Sequence, residues 1–383
     1  MLIGVNNVNL IVPLQAKEGK KNEPVAVKTR LGWCVFGGND TGATPVFNYH
    51  ACECAVDQKL LDVVRDYFTL EDTGVIPLQQ LESEEDKRAR KILEQTTVRV
   101  GDKFETGLLW KYDHIEFPDS YSMAVKRFKC LEGKMSRNPE LAANLRKQMS
   151  EYQRKGYARC ATEDELKCGD PKRVWYLPLG VVTNPRKPGK VRLIWDAAAK
   201  VDGISLNTML LKGPDQLASL PAVLSRFRQY KVAVSSDIKE MFHQISIREP
   251  DRHSQRFLWR NDPTENFGIF LMNVATFGST CSPASAQHIK NKNAEEFADR
   301  YPRAVEAILK NHYVDDFLDS FESEEEAVRV STETRYIHQR GGFVLRNWLS
   351  NSAAVLNGMN VEKPLDAKGF CLNPIEEATE CWA

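Results

Sequence analysis

The sequence predicts an α+β fold. Strand and helix signals alternate along the chain without a regular strand–helix–strand period, which argues against a doubly wound sheet. Short apolar runs bounded by polar turns read as strands, and several helices announce their first turn with a capping residue. The 383 residues suffice for two or three domains, and 42% hydrophobic with 27% charged residues is a globular composition. The longest stretch free of Asp, Glu, Lys and Arg, residues 266–289, contains Gly268, Asn273, Gly278 and Pro283 and does not suit a membrane span. The first residues lack the basic flank and apolar core of a signal peptide. Nine scattered cysteines, an odd number, argue for a reducing compartment. These features together read as a soluble intracellular protein without a membrane partner.

Taken in order, the first 36 residues read as β-structure, with apolar runs at Leu2–Val5, Leu10–Leu14, Val25–Val27 and Trp33–Phe36. A turn-rich linker follows from Gly37 to Asn48, and Leu60–Phe68 has helical spacing. Ser83 before Glu84, Glu85 and Asp86 is a cap with an acidic first turn, opening a helix to about Gln95. Asn138-Pro139 opens another, running to Lys155 before Gly156. Val174–Thr183 and Lys190–Trp195 read as strands joined by a basic loop, residues 184–189. Leu220–Tyr230 is helical and leads into a strand at Lys231–Ser236. Strands return at Gln255–Trp259 and Gly268–Ala275, and a helix begins near Ser282-Pro283. His312–Phe321 reads as strand, tight turn and strand, and Glu324–Gln339 as an amphipathic helix ending at Gly341-Gly342.

The formal net charge is zero, with 52 basic and 52 acidic residues, yet Lys126–Arg192 holds 17 Lys and Arg against 7 Asp and Glu. Such a block beside an acidic remainder suits a partner bearing phosphates, although a solvated basic helix face gives the same pattern. The most informative acids are Asp315 and Asp316, flanked by Tyr313-Val314 and Phe317-Leu318. Adjacent carboxylates among β-prone apolar residues are costly to bury, but at a hairpin tip both escape burial and can share a metal ion. Asp237 ends the apolar run Val232–Ser236. Carboxylates converging from neighbouring strands could hold two Mg²⁺ ions for in-line nucleotidyl transfer. An isolated Asp-Asp pair is ordinarily a solvated turn; the surrounding pattern makes this one informative.

Tyr313-Val-Asp-Asp316 resembles the catalytic turn of retroelement reverse transcriptases. Val234–Ile245 is similar to their first palm motif, Phe277-Gly278-Ser-Thr-Cys-Ser-Pro283 to the loop and helix under the templating pair, and Lys190-Val-Arg192-Leu-Ile-Trp-Asp196 to the fingers strand at the triphosphate. Thr29–Trp33 and Trp195–Lys200 most resemble Pol polyproteins of animal BEL/Pao-type LTR retrotransposons, in the cytoplasmic setting of a virus-like particle. The resemblance implies right-hand polymerase fingers and palm, preceded by a small β remnant of a retropepsin-like protease. It places the protease tail and linker in residues 1–48, a helical connector and the start of the fingers in 49–170, fingers and palm in 171–350, and a truncated approach to primer grip and thumb in 351–383.

On this resemblance Asp237, Asp315 and Asp316 are the catalytic metal ligands, holding two Mg²⁺ or Mn²⁺. Lys190 and Arg192 neutralise the departing phosphates. Phe277 and Gly278 lie at the base pair, Gly278 because a side chain would clash. Phe242 occupies the position that blocks a ribose 2′-hydroxyl, its plain alternative being core packing. The implied partners are an RNA or DNA template with primer, deoxynucleoside triphosphates, and downstream RNase H and integrase segments. Relatives often carry a basic residue where this chain has Asn347, with Arg346 adjacent. The sequence stops about where a primer-gripping hairpin should begin, which predicts weak extension by this chain.

Other strings carry less. Asp40-Thr-Gly-Ala43 and Asp72-Thr-Gly74 match an aspartic-protease string without the strand and later element such a site needs; Leu2-Ile-Gly4 reads better as the end of a protease. His50, Cys52 and Cys54 lack a second ligand pair for zinc. His243 and His312 read as packed histidines beside the motifs. An aspartic peptidase and a non-catalytic nucleic-acid-binding polymerase relic stand as the alternatives.

Overall fold

The computed structural model describes residues 12–18, 25–30, 32–36, 82–168, 170–183 and 191–361. The chain divides into two units, residues 1–79 and 80–383. In the first, β1 (Gln15–Lys17), β2 (Val25–Thr29) and β3 (Gly32–Phe36) form an antiparallel sheet in that order, with Gln15 opposite Lys28 and Val25 opposite Phe36. Strand β1 follows the apolar run Leu10–Leu14 instead of coinciding with it. Leu2–Gly4, the linker at 37–48, Asp40–Ala43, His50, Cys52, Cys54, Leu60–Phe68, Asp72–Gly74, the loop 184–189 with Lys190, and residues 362–383 lie outside the described residues.

The second unit opens with α1 (Glu84–Thr96), where Ser83 accepts a hydrogen bond from the Asp86 amide. Next come β4 (Val98–Val100), β5 (Lys103–Thr106) and α2 (Tyr121–Arg137). Helix α2 buries Ala124, Phe128, Leu131 and Met135, spaced to fall on one helical face. Helix α3 (Pro139–Arg154) starts as expected, the Asn138 side chain accepting from the Leu141 amide with proline at the first position. Strand β6 (Ala158–Cys160), helix α4 (Glu163–Cys168) and the hairpin of β7 (Leu179–Thr183) and β8 (Val191–Trp195) follow. The strand expected over Val174–Thr183 is thus only its second half. Pro178 can donate no ladder bond, and Trp175 and Leu177 are buried with their amides bonded to His253 and Arg256 carbonyls.

Helix α5 (Leu220–Phe227) precedes the central strand β9 (Val232–Ile238). The short β10 (Ser246–Ile247) runs parallel to β5, and β11 (Arg256–Trp259) and β12 (Gly268–Met272) pair antiparallel, β12 also pairing with β6. Helices α6 (Ser282–Glu295) and α7 (Pro302–Lys310) each begin with proline in the first turn. Strands β13 (His312–Tyr313) and β14 (Asp316–Phe321) form the expected hairpin. Helix α8 (Glu324–Arg340) is capped by Ser323 and followed by β15 (Leu345–Ser350) and α9 (Ala353–Gly358).

One four-stranded antiparallel sheet, ordered β13-β14-β9-β15, positions the acidic residues. Along β9, Val232, Val234, Ser236 and Ile238 are buried while Ala233, Ser235 and Asp237 are only partly covered. The buried face packs with Phe317, Phe321 and Ile337 into the main core, and α8 packs against β9, β14 and β15. The period of two therefore sends Asp237 to the wetter face of a central strand.

Candidate active site

The sheet register places three strands' side chains in one row. Asp316 on β14 stands opposite Asp237 on β9, and Arg346 on β15 stands opposite Asp237 on the other side. Residues directly opposite in an antiparallel ladder share a face, so all three side chains emerge together. Asp315 precedes Asp316 at the tip of a two-residue turn closed by Tyr313 and Asp316. Val314, its other central residue, has φ +56°, a left-handed conformation that costs a β-branched residue about 1–3 kcal/mol. Two bonds hold the tip: Gln287 on α6 donates to the Val314 carbonyl at 2.9 Å, and the Ile238 amide donates to the Asp315 carbonyl at 2.8 Å.

The electrostatics of the row are uneven. Partial desolvation, then the charges of Asp315 and Asp237, raise the Asp316 pKa above the usual aspartate value. Asp237 instead has both oxygens occupied: Arg346 Nε donates to Oδ2 at 2.9 Å and Asn347 Nδ2 to Oδ1 at 2.6 Å. Asp315 and Asp316 have no ion-pair partner among the described residues.

Beyond Asp237 the chain turns at Glu240, φ +51°, whose carboxylate accepts from Lys155 Nζ at 2.7 and 3.0 Å and from Tyr157 Oη at 2.8 Å. Desolvation opposes its ionisation, but these donors outweigh it and lower the Glu240 pKa. The motif is thereby tied to the end of α3. The next residues form a helical turn, Met241–Gln244, that presents Phe242 half-buried against Phe277, ring centroids 4.9 Å apart. Phe277 itself is 42% exposed, a large ring left facing solvent. His243 is enclosed by Tyr152, Tyr157 and Phe277, and burial lowers its pKa to about 4. It is a neutral packed histidine, as the sequence suggested.

Gly278 has φ +109°, and a Cβ there would overlap the Trp195 carbonyl oxygen at the end of β8. The close approach expected of this glycine is made to the chain's own backbone. Asn207 reinforces it, donating to the Gly278 carbonyl and accepting from the Thr280 amide, both at 2.9 Å. Strand β8 also carries Arg192, which is exposed and makes no ion pair among the described residues. A cavity of about 480 Å³ runs beside this junction, lined by Arg127, Cys130 and Lys134 of α2, the β7 and β8 backbones, and Gly278.

His312 is buried and its Nε2 lies 3.0 Å from Nε2 of His338 on α8; burial lowers the pKa of both, that of His338 to about 3. Lys290 of α6 is buried nearby with its ammonium donating to the Ile308 carbonyl at 2.9 Å. Sequence reasoning did not anticipate Arg346 and Asn347 at Asp237, Gln287 behind the turn, or Asn207 beneath Gly278. The adjacency of Arg346-Asn347 was visible, but only the register of β15 shows what they touch.

An α+β domain that lifts an acid pair on a tight turn beside a third acid has the outline of a nucleotide-polymerising enzyme. The family model for reverse transcriptase (RNA-dependent DNA polymerase) matches residues 185–358, which include all three acids, Phe242, Phe277, Gly278 and Arg192. A reverse transcriptase domain therefore occupies that stretch, consistent with a retroelement Pol, and the mixed helix and strand content fits an α+β polymerase. No curated protein matches the chain. No helix among the described residues is long and apolar enough to cross a membrane.

Such domains generally use divalent metals. Among the described residues no three His, Cys, Asp or Glu side chains are already gathered around one point as ligands, and Asp237 is bonded to β15. The donor set nevertheless fits. It offers only hard carboxylate oxygens, the type Mg²⁺ and Mn²⁺ prefer, and the mutual repulsion felt at Asp316 is what a bound dication would relieve.

Proposed function

We propose that this chain is the RNA- and DNA-directed DNA polymerase module of a BEL/Pao-type retrotransposon Pol polyprotein, preceded by the tail of a retropepsin-like protease in residues 1–48. The observation that carries the reading is the facing of Asp316 and Asp237 in one ladder, with Asp315 beside them, inside the reverse transcriptase match. Asp237, Asp315 and Asp316 would hold two Mg²⁺ or Mn²⁺ ions. When bound, these ions lower the pKa of a primer 3′-hydroxyl and stabilise charge on the transferring phosphoryl group.

The chain's own side chains do the rest. Arg192, exposed on β8 with no ion-pair partner among the described residues, neutralises the triphosphate with Lys190. Phe242, supported from behind by Phe277, fills the space a 2′-hydroxyl would need. Phe277 and the Gly278 backbone form the floor under the nascent base pair. The basic face of α2, including Arg127 and Lys134 at the cavity beside Gly278, tracks template phosphates. The test is extension of oligo(dT) on poly(rA) with and without Mg²⁺ or Mn²⁺, by the chain joined to its downstream Pol segment. Metal-dependent synthesis supports the reading; absence of synthesis with intact template-primer binding supports the polymerase-relic alternative.

A further inference from the structure

We infer that Arg346 and Asn347 form a latch on Asp237 that competes with a divalent cation, so that strand β15 sets the metal affinity of the site. The inference rests on the metal-dependent reading above. Both oxygens of the Asp237 carboxylate are engaged by consecutive residues of β15, at 2.9 and 2.6 Å. Consecutive residues of a regular strand point to opposite faces and could not both reach one carboxylate.

The chain overcomes this with a local irregularity. Asn347 has φ +53°, and the β15–β9 register shifts between Arg346 and Leu349. The resulting bulge brings Asn347 to the face that Arg346 already occupies. Asparagine is among the few non-glycine residues that accept a left-handed backbone readily, so residue type and backbone agree. The same bulge lets Leu345 and Trp348, three residues apart, both enter the core.

The lone pairs that accept these N–H groups are the ones a metal ion would take. Loading an ion must displace the donors or share the carboxylate with them, against the nearby guanidinium charge. The latch acts on one acid of the three, since Asp315 and Asp316 have no ion-pair partner among the described residues. It can also open cheaply: the Arg346 side chain is 48% exposed and that of Asp237 21%, so release exposes no core.

Mn²⁺ binding to the full 383-residue chain, read by the electron paramagnetic resonance of free Mn²⁺, tests this without any activity measurement. Arg346→Gln should bind Mn²⁺ about three- to fivefold more tightly than wild type, the range expected on losing a partly exposed ion pair. Asn347→Ala, which changes no charge, should tighten binding by a smaller factor and serves if Arg346→Gln unfolds. Asp316→Asn should weaken it. Unchanged or weaker binding in both β15 variants, with wild-type melting, overturns the latch and leaves the metal site standing. Equal binding by wild type and Asp316→Asn, or none by either, overturns the metal reading and the latch together.

Discussion

Asp237 and Asp316 face each other directly across neighbouring antiparallel strands, two acids on one side of a sheet. Like charges so placed cost up to about 1 kcal/mol. Arg346 offsets part of this at Asp237, and a bound cation or a proton on Asp316 relieves the rest.

Asp316→Asn should stabilise the metal-free protein, raising its melting temperature by about 1–3 °C at pH 7. The sign follows from the raised Asp316 pKa. The folded state holds the proton more tightly than the unfolded chain, so the penalty is absent below about pH 4 and complete above the folded pKa. Scanning calorimetry from pH 4 to 7 should show the mutant's advantage growing with pH. A mutant that melts lower than wild type at pH 7 would contradict it.

Asp315→Asn should reduce metal-dependent primer extension by about 10³-fold or more while leaving the melting temperature nearly unchanged, as expected for loss of a ligand on a turn outside the core. Retained extension with normal melting would remove Asp315 from the proposed metal site.

Phe242→Val should relax sugar selection. The ring is half-buried and rests on Phe277, so truncation opens a gap and removes little core. The ratio of ribonucleotide to deoxyribonucleotide incorporation should rise by about 10²-fold, measured by single-nucleotide insertion kinetics. An unaltered ratio would make Phe242 a packing residue.

Gly278→Ala should destabilise the fold by about 2–4 kcal/mol in urea denaturation, through a disfavoured φ and overlap with the Trp195 carbonyl. A loss of nucleotide affinity with wild-type stability would instead indicate that the loop yields freely.

Lys290→Met should flatten the alkaline limb of the stability profile. Burial without a counter-charge lowers the Lys290 pKa to about 7, against about 10.4 in an unfolded chain. The unfolded state binds the extra proton between those values, so wild-type stability rises with pH across that window, and the full penalty applies below it. The mutant should be more stable by at least about 1 kcal/mol at pH 6, with the gap closing by pH 10. A constant gap would mean that Lys290 titrates alike in the folded and unfolded states, its ammonium staying charged across the whole window.

Much of this was legible because it is local. Ser83 and Asn138 announced α1 and α3, and the strand-turn-strand at His312–Phe321 followed from a polar pair between apolar runs. Helix α2 was missed for a definite reason: Ser120 makes no cap bond and its hydroxyl is instead taken by the Tyr176 amide. The Val174–Pro178 segment looked like strand because its apolar residues belong to the core, yet the β7–β8 ladder ends at Leu179 beside proline, and Tyr176 makes only an isolated parallel bridge to Arg256. Within the candidate site, the acids and aromatics were readable as residue types at known spacing. Arg346 on Asp237 and Lys155 on Glu240 were not, since they join positions 109 and 85 residues apart, the first through strand register and the second through packing of a helix end on a turn.

The left-handed Val314 gives the acid pair a mechanical character. Its conformational cost is already present in the resting fold, held there by Gln287 and Ile238. A turn kept under tension in this way has no slack to take up when a ligand arrives, so little ordering entropy is lost on binding. Gln287 sits in the second turn of α6, the helix that begins four residues after Gly278. One rigid rod thus braces the acid-bearing tip at a point a single turn and a half from the loop that follows Phe277, and neither can be displaced far without straining the other.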